Sequence, residues 1–265
     1  MNTPGKNMLL PLLFAGISFF YTTNLMAQCS TANPAGCSCP IPGTTNCTLL
    51  PDIIAGKKTL NSTSGWSEYA QSAGAPNKGL LRIDVSTPNI GWGPVETVST
   101  NTYVCGSDTM YNFFPPPGFL CPDGSYPKRL IKQKIYNKVG NTFQNTERDA
   151  GWMVYHPSHG HIHIEGWGLY TLRLRDVTVA DTLQWPVVNS GIKTSFCLID
   201  LTTCSGSLGD CVDSVGNILN NASFPNYGLA GGYNCGNVTQ GISVGRVDIY
   251  SRSLDESFVK IPYEA

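Results

Sequence analysis

Charge is scarce in this chain of 265 residues. Only 13% of them are Asp, Glu, Lys or Arg, the 17 basic and 18 acidic side chains nearly cancel, and the basic ones form no long run. Nucleic-acid binding driven by phosphate neutralisation has no footing here. Helix-building stretches are missing as well: no long segment repeats apolar residues at a 3.6 period, and 28 Gly and 18 Pro punctuate the chain. Coiled coils and helical bundles are therefore set aside. There is no CxxC pair to support a zinc ribbon, and no internal repeat.

What is present begins with an export signature. Lys6, the apolar stretch from Met8 to Phe20 and the small Ala27 read as a signal peptide over residues 1–27. All ten cysteines follow it: Cys29, Cys37, Cys39, Cys47, Cys105, Cys121, Cys197, Cys204, Cys211 and Cys235. An even number behind an export signal points to disulfides in a periplasmic, extracellular or otherwise oxidising compartment, with no membrane association once the signal is removed. Asn-X-Ser/Thr sequons at Asn46, Asn61, Asn221 and Asn237 suit surface loops.

Residues 28–63 are rich in Cys, Pro, Thr and Asn and read as an irregular, disulfide-tied segment ahead of one domain over 64–265. A strand is expected where Leu81, Ile83 and Val85 alternate with Arg82, Asp84 and Ser86, ending at Thr87-Pro88. Further strands are expected at Ile131 to Tyr136, Met153 to Ile164, Leu169 to Leu174, Phe196 to Ile199 and Val247 to Tyr250. Pro115-Pro116-Pro117-Gly118 marks a loop that Cys105 and Cys121 could close, and Cys204 to Asn234 reads as a long loop pinned by cysteines. The expected fold is all-β, an antiparallel β-sandwich with long disulfide-tied loops.

All four histidines fall in Tyr155-His156-Pro157-Ser158-His159-Gly160-His161-Ile162-His163. On a strand, His159, His161 and His163 would face one side, with the outer Cα atoms roughly 13 Å apart. One ion could then be shared only if the strand bends, which Gly160 would permit. Three neutral imidazoles with an open position suit copper or zinc. The cupin and carbonic anhydrase patterns do not fit, since Glu165 follows His163 by two residues and no later histidine exists.

The segment His159-Gly160-His161-Ile162-His163, followed by a Trp/Tyr strand, resembles the copper motif of the lysyl oxidase family. Downstream, Gly191-Ile192-Lys193-Thr194-Ser195-Phe196-Cys197-Leu198 is similar to the family segment holding the cofactor lysine. Gln240-Gly241-Ile242-Ser243-Val244-Gly245 with Asp248-Ile249-Tyr250 is similar to the segment holding its partner tyrosine. Upstream, Leu80-Leu81-Arg82-Ile83 and Asn89-Ile90-Gly91 look like the family's opening strand and turn. The resemblance spans Leu80 to Ile261. There are departures: Leu169 precedes Tyr170 where animal members have a histidine, Arg246 and Ser158 stand where they have cysteines, and the family continues past the tyrosine through a hairpin while this chain ends at Ala265.

The resemblance implies a secreted copper amine oxidase, with His159, His161 and His163 as metal ligands and a lysine tyrosylquinone formed from Lys193 and Tyr250. Such an enzyme takes primary amines, either lysine side chains of proteins or smaller amines, and molecular oxygen to an aldehyde, ammonia and hydrogen peroxide. Asp248, two residues before Tyr250 and so on its strand face, is the candidate general base. His156 matches a family histidine with no ligand role assigned. Cys197, Cys204 and Cys235 match family cysteines; Cys197 is expected to bridge Cys235, and Cys211 offers a replacement partner. Two other readings stand beside this one: a copper-binding protein that never builds the quinone, and a three-histidine zinc hydrolase.

Overall fold

The computed structural model describes residues 29, 33–61, 65–74, 77–191, 194–203, 232–250 and 259–262. The signal segment, Cys204, Cys211 and most of the Cys204 to Asn234 loop lie outside them. Fifteen strands are described: β1 (Asn46–Leu49), β2 (Trp66–Glu68), β3 (Leu80–Ile83), β4 (Val85–Pro88), β5 (Val95–Cys105), β6 (Asp108–Met110), β7 (Lys128–Val139), β8 (Thr142–His156), β9 (His161–Ile164), β10 (Thr171–Arg173), β11 (Val187–Ser190), β12 (Thr202–Thr203), β13 (Thr239–Ile242), β14 (Arg246–Tyr250) and β15 (Val259–Pro262). One short helix, α1 (Lys57–Asn61), and two 3-10 turns complete the described elements. The class is all-β, and no helix among the described residues is long and apolar enough to cross a membrane.

The main sheet has seven strands, with β13, β5, β7, β8 and β9 in that order, β1 added to β7 and β6 to β5. A second sheet runs β12-β14-β4 and a third β15-β3-β2, and every pairing between strands is antiparallel. Val95, Ile131, Met153, Ile164 and Ile242 from the main sheet meet Val85, Phe196 and Leu198 in one buried core, with Ile83 and Tyr250 packed against it. Apolar burial between facing sheets is what holds such a fold together.

Several strand expectations change. Leu81 to Ser86 alternates evenly, yet the chain breaks at Asp84, so β3 and β4 join different sheets. Thr87-Pro88 is itself part of β4, which ends at Pro88: Pro88 sits opposite Val247, and its carbonyl accepts from the amide of Ile54 at 3.2 Å. Phe196 to Ile199 forms only an isolated bridge, Phe196 to Ile164. The first half of β8 escapes any apolar reading because most of its residues are exposed polar ones; it is held by pairing with β7, where Lys134 faces Glu147.

Four disulfides join Cys29–Cys37, Cys39–Cys47, Cys105–Cys121 and Cys197–Cys235. Both expected closures, Cys105 to Cys121 and Cys197 to Cys235, are among them.

Asn89 is the polar centre of the fold. It is fully buried; its side-chain NH2 donates to the carbonyls of Gly93 and Ile242, and its side-chain oxygen accepts from the amides of Asp52 and Gly91. It thus ties β13 to the turn after β4 and to the N-terminal segment. The backbones pass so closely that a Cβ on Gly93 would lie 2.1 Å from the Leu49 carbonyl oxygen. Asn89→Ala strands four buried backbone groups and is expected to destabilise the protein by about 3–5 kcal/mol in chemical denaturation. A loss under about 1 kcal/mol would show that water replaces the amide.

Candidate metal centre and tyrosine site

The histidine stretch is not one strand. β8 ends at His156, residues 157–160 turn, and β9 starts at His161, so His156 and His161 are cross-strand partners. Gly160 takes φ +69°, a left-handed conformation that other residues rarely adopt, and its amide and that of His159 donate to the His156 carbonyl. The expected bend at Gly160 is therefore a chain reversal. His156, His161 and His163 occupy one face of the hairpin by register, and His159 closes over them from the turn.

The four rings converge. The His163 centroid is 4.8 Å from those of His156 and His161 and 5.0 Å from that of His159. His161 Nε2 and His163 Nε2 are 3.0 Å apart, and one ring nitrogen each from His156, His159 and His163 lie within 4.8 Å of one another. Metal–nitrogen bonds of about 2.0–2.1 Å place neighbouring ligands roughly 3 Å apart, so the His161–His163 pair has the spacing of two ligands on one copper- or zinc-sized ion, while the His156, His159 and His163 nitrogens would have to draw closer to share one. His163 is 1% exposed, while the other three are half-buried. Ser158 Oγ, 2.9 Å from His156 Nδ1, orients that ring from outside the cluster.

Ile164 carries the hairpin into the core. Its amide and carbonyl pair with those of Phe196 at 2.7 and 3.0 Å, laying Phe196-Cys197-Leu198 beside β9. Gln240 locks this arrangement. Its Oε1 accepts from the Leu198 amide, and its Nε2 donates to the Ile162 and Gly236 carbonyls. Cys197 then faces both halves of the site: its Sγ and that of Cys235 lie within 4.8 Å of a His161 ring nitrogen, and its carbonyl accepts a hydrogen bond from the Tyr250 hydroxyl. The Phe196 ring meets Tyr250 edge-to-face at 4.6 Å.

Burial governs the titration of this region. The Tyr250 phenol is pushed well above its usual range, first by burial and next by the Asp248 charge, and Tyr170 is raised to about 12 for the same two reasons. Asp248 is 1% exposed and raised to about 8, because burial outweighs the Ile199 and Ile249 amides that favour its anion. Asp200, which adds to that shift, accepts from the Tyr233 amide and from the amide and hydroxyl of Ser243.

The chain matches no protein-family model, no curated protein and no solved structure. Of the residues singled out in the sequence, His159, His161 and His163 are brought together, with His156 among them, and Asp248 and Tyr250 share one face of β14. Lys193 lies outside the described residues. Its described neighbours are tied to the stretch just before β10: the Gly191 amide donates to the Tyr170 carbonyl at 2.7 Å, and the Gly168 amide donates to the Thr194 carbonyl at 3.4 Å. Asp200 had no signal in the sequence, and Gln240 stood in a family-like segment that assigned it no role, since each acts through backbone groups distant along the chain.

The Asp248 shift has a measurable consequence. The native state keeps this proton to about pH 8, whereas the unfolded chain releases it near 3.8. Stability should therefore fall as pH rises from about 4 to 8, by on the order of a few kcal/mol, and level off above. Asp248→Asn should abolish that decline and exceed the wild type in stability at pH 8; parallel pH profiles of the two proteins would contradict the assignment.

Proposed function

We propose that the protein is a copper-dependent amine oxidase of the lysyl oxidase type, converting a primary amine, dioxygen and water to an aldehyde, ammonia and hydrogen peroxide. The observation that carries this reading is the placement of Cys197 between four convergent histidines and Tyr250. The histidines would hold copper, which supplies the one-electron and oxygen chemistry needed to make a quinone with Lys193 from Tyr250. The protein's own part is positional. Phe196 and the Cys197 carbonyl fix the Tyr250 ring, Gln240 fixes Cys197 against β9, and the buried interior keeps water from the ring. Asp248 stands on the Tyr250 face of β14 as the acceptor of the substrate's α-proton.

As a base, Asp248 acts only when ionised, so kcat should climb as pH passes about 8 and flatten beyond it. The test is peroxide release from alkylamines by the secreted protein, with copper content measured in parallel. Amine-dependent peroxide that scales with copper occupancy supports the reading. Copper-replete protein that releases none would favour a copper-binding protein without catalysis, and amine-independent hydrolysis with zinc would favour the hydrolase.

A further inference from the structure

Beside the histidine cluster, the described residues hold a second group of metal-ligating type: a ring nitrogen of His161 and the sulfurs of Cys197 and Cys235 lie within 4.8 Å of one another. No other described disulfide stands in such a group with a third ligand. Cys197 is 1% exposed, whereas Cys235 and His161 keep part of their surface open. His161 is the link between the two groups, since its Nε2 is 3.0 Å from that of His163.

A disulfide sulfur is a poor ligand, while two thiolates are strong and soft ones. The question is whether the three groups stay together once the bridge is open. One buried amide holds the neighbour of each. Gln240 Oε1 accepts from the amide of Leu198, next to Cys197, and its Nε2 donates to the carbonyls of Ile162, next to His161, and of Gly236, next to Cys235. Two further clamps flank it: Phe196 pairs with Ile164 through both amide and carbonyl, and the Asp200 amide donates to the Tyr233 carbonyl while the Tyr233 amide donates to the Asp200 carboxylate. None of these bonds involves a sulfur.

We propose that the dithiol form of Cys197 and Cys235, together with His161, binds one cuprous ion, and that closing the disulfide releases it beside the histidine cluster. This stands independently of the amine oxidase reading. Metal–sulfur bonds of about 2.3 Å and metal–nitrogen bonds of about 2.0 Å span donors roughly 3.5–4 Å apart, so atoms already within 4.8 Å of one another need only small shifts. Thiolates select Cu(I), which three ligands satisfy; structural zinc takes four, and no fourth His, Cys, Asp or Glu joins this group among the described residues. The dithiol is the form in which the chain is synthesised, and Cu(I) binding displaces its two protons. Closure by exchange with another protein's disulfide passes two electrons to that disulfide, whose sulfurs take up two protons from water. The Cys197–Cys235 bond forms, and copper leaves as Cu(I) with its charge unchanged.

The test loads one equivalent of Cu(I) under argon onto the full chain reduced with a phosphine, and maps by peptide mass analysis which cysteines the ion shields from iodoacetamide. Cys197 and Cys235 should react at least tenfold more slowly than in the metal-free reduced chain, with the other cysteines unchanged. Shielding spread evenly over all cysteines, or no shielding, overturns the proposal. His161→Ala should lose at least tenfold in Cu(I) affinity against a chromophoric chelator, and an unchanged affinity overturns it. Should that variant fail to fold, X-ray absorption of the copper-loaded reduced chain must show nitrogen as well as sulfur bound to the ion; a shell of sulfur alone overturns it equally. Cys197→Ser combined with Cys235→Ser, in a chain whose other bridges are closed, should keep the wild-type near-UV circular dichroism, because Gln240 holds these segments without the bridge. Loss of that signal would remove the scaffold that the site needs and overturn the proposal as well.

Discussion

Lys193→Arg protein, secreted and loaded with copper, is expected to retain one ion per chain and to release no peroxide above background from any primary amine. A solvated lysine would tolerate this exchange, because the positive charge is kept. A lysine whose free amine must attack an oxidised ring would not: the guanidinium pKa above about 12 leaves essentially no neutral nitrogen, and its planar group has the wrong shape for the attack. A tethered amine beside an electrophilic carbon gains a large effective molarity, which an amine free in solution cannot restore. Tyr250→Phe should give the same result by removing the oxygen from which the quinone is made. Its structural cost is small, about 1 kcal/mol for the hydrogen bond to the Cys197 carbonyl, and the Phe196 contact survives. Peroxide at the wild-type rate from copper-replete Lys193→Arg would end the quinone mechanism.

The second large effect is expected at His163. It is the buried member of the cluster and neighbours all three other rings, so any three-histidine set that the geometry allows includes it. His163→Ala should abolish stoichiometric copper, measured by metal analysis after dialysis against a weak chelator. His156→Ala and His161→Ala divide the remaining possibilities, because these two residues are partners across the hairpin and each ring lies 4.8 Å from that of His163. Loss of copper in His161→Ala with retention in His156→Ala matches the ligand set expected from the sequence. Retention of one tight copper by His163→Ala would move the site elsewhere.

The all-β class was legible because alternation and turn residues dominate the chain, and the candidate metal centre because all four histidines sit within eight residues. The hairpin was not. His159, His161 and His163 keep a period of two straight through the reversal, and that period hides Pro157-Ser158-His159-Gly160, a turn by its chemistry, inside an apparent strand. The same even alternation concealed the break at Asp84 that sends β3 and β4 to separate sheets. Local pattern reports which faces are apolar and says nothing of where the chain folds back. Tyr250 was legible only through a family resemblance; in composition and spacing it is an ordinary strand tyrosine. The roles of the buried side chains of Asn89, Gln240 and Asp200 were illegible for a different reason, although the first two stand in segments that resemble the family's. Each is defined by the carbonyls and amides of remote segments, a property of the tertiary structure that no single stretch of sequence carries.

The central claim is that Lys193 and Tyr250 become one cofactor. The direct measurement is peptide mass analysis of protein matured with copper in air, digested after reduction of its disulfides. A single cross-linked peptide containing the Lys193 and Tyr250 segments, absent from protein kept copper-free, is the predicted result. Two separate, unmodified peptides from protein carrying one copper per chain would contradict it.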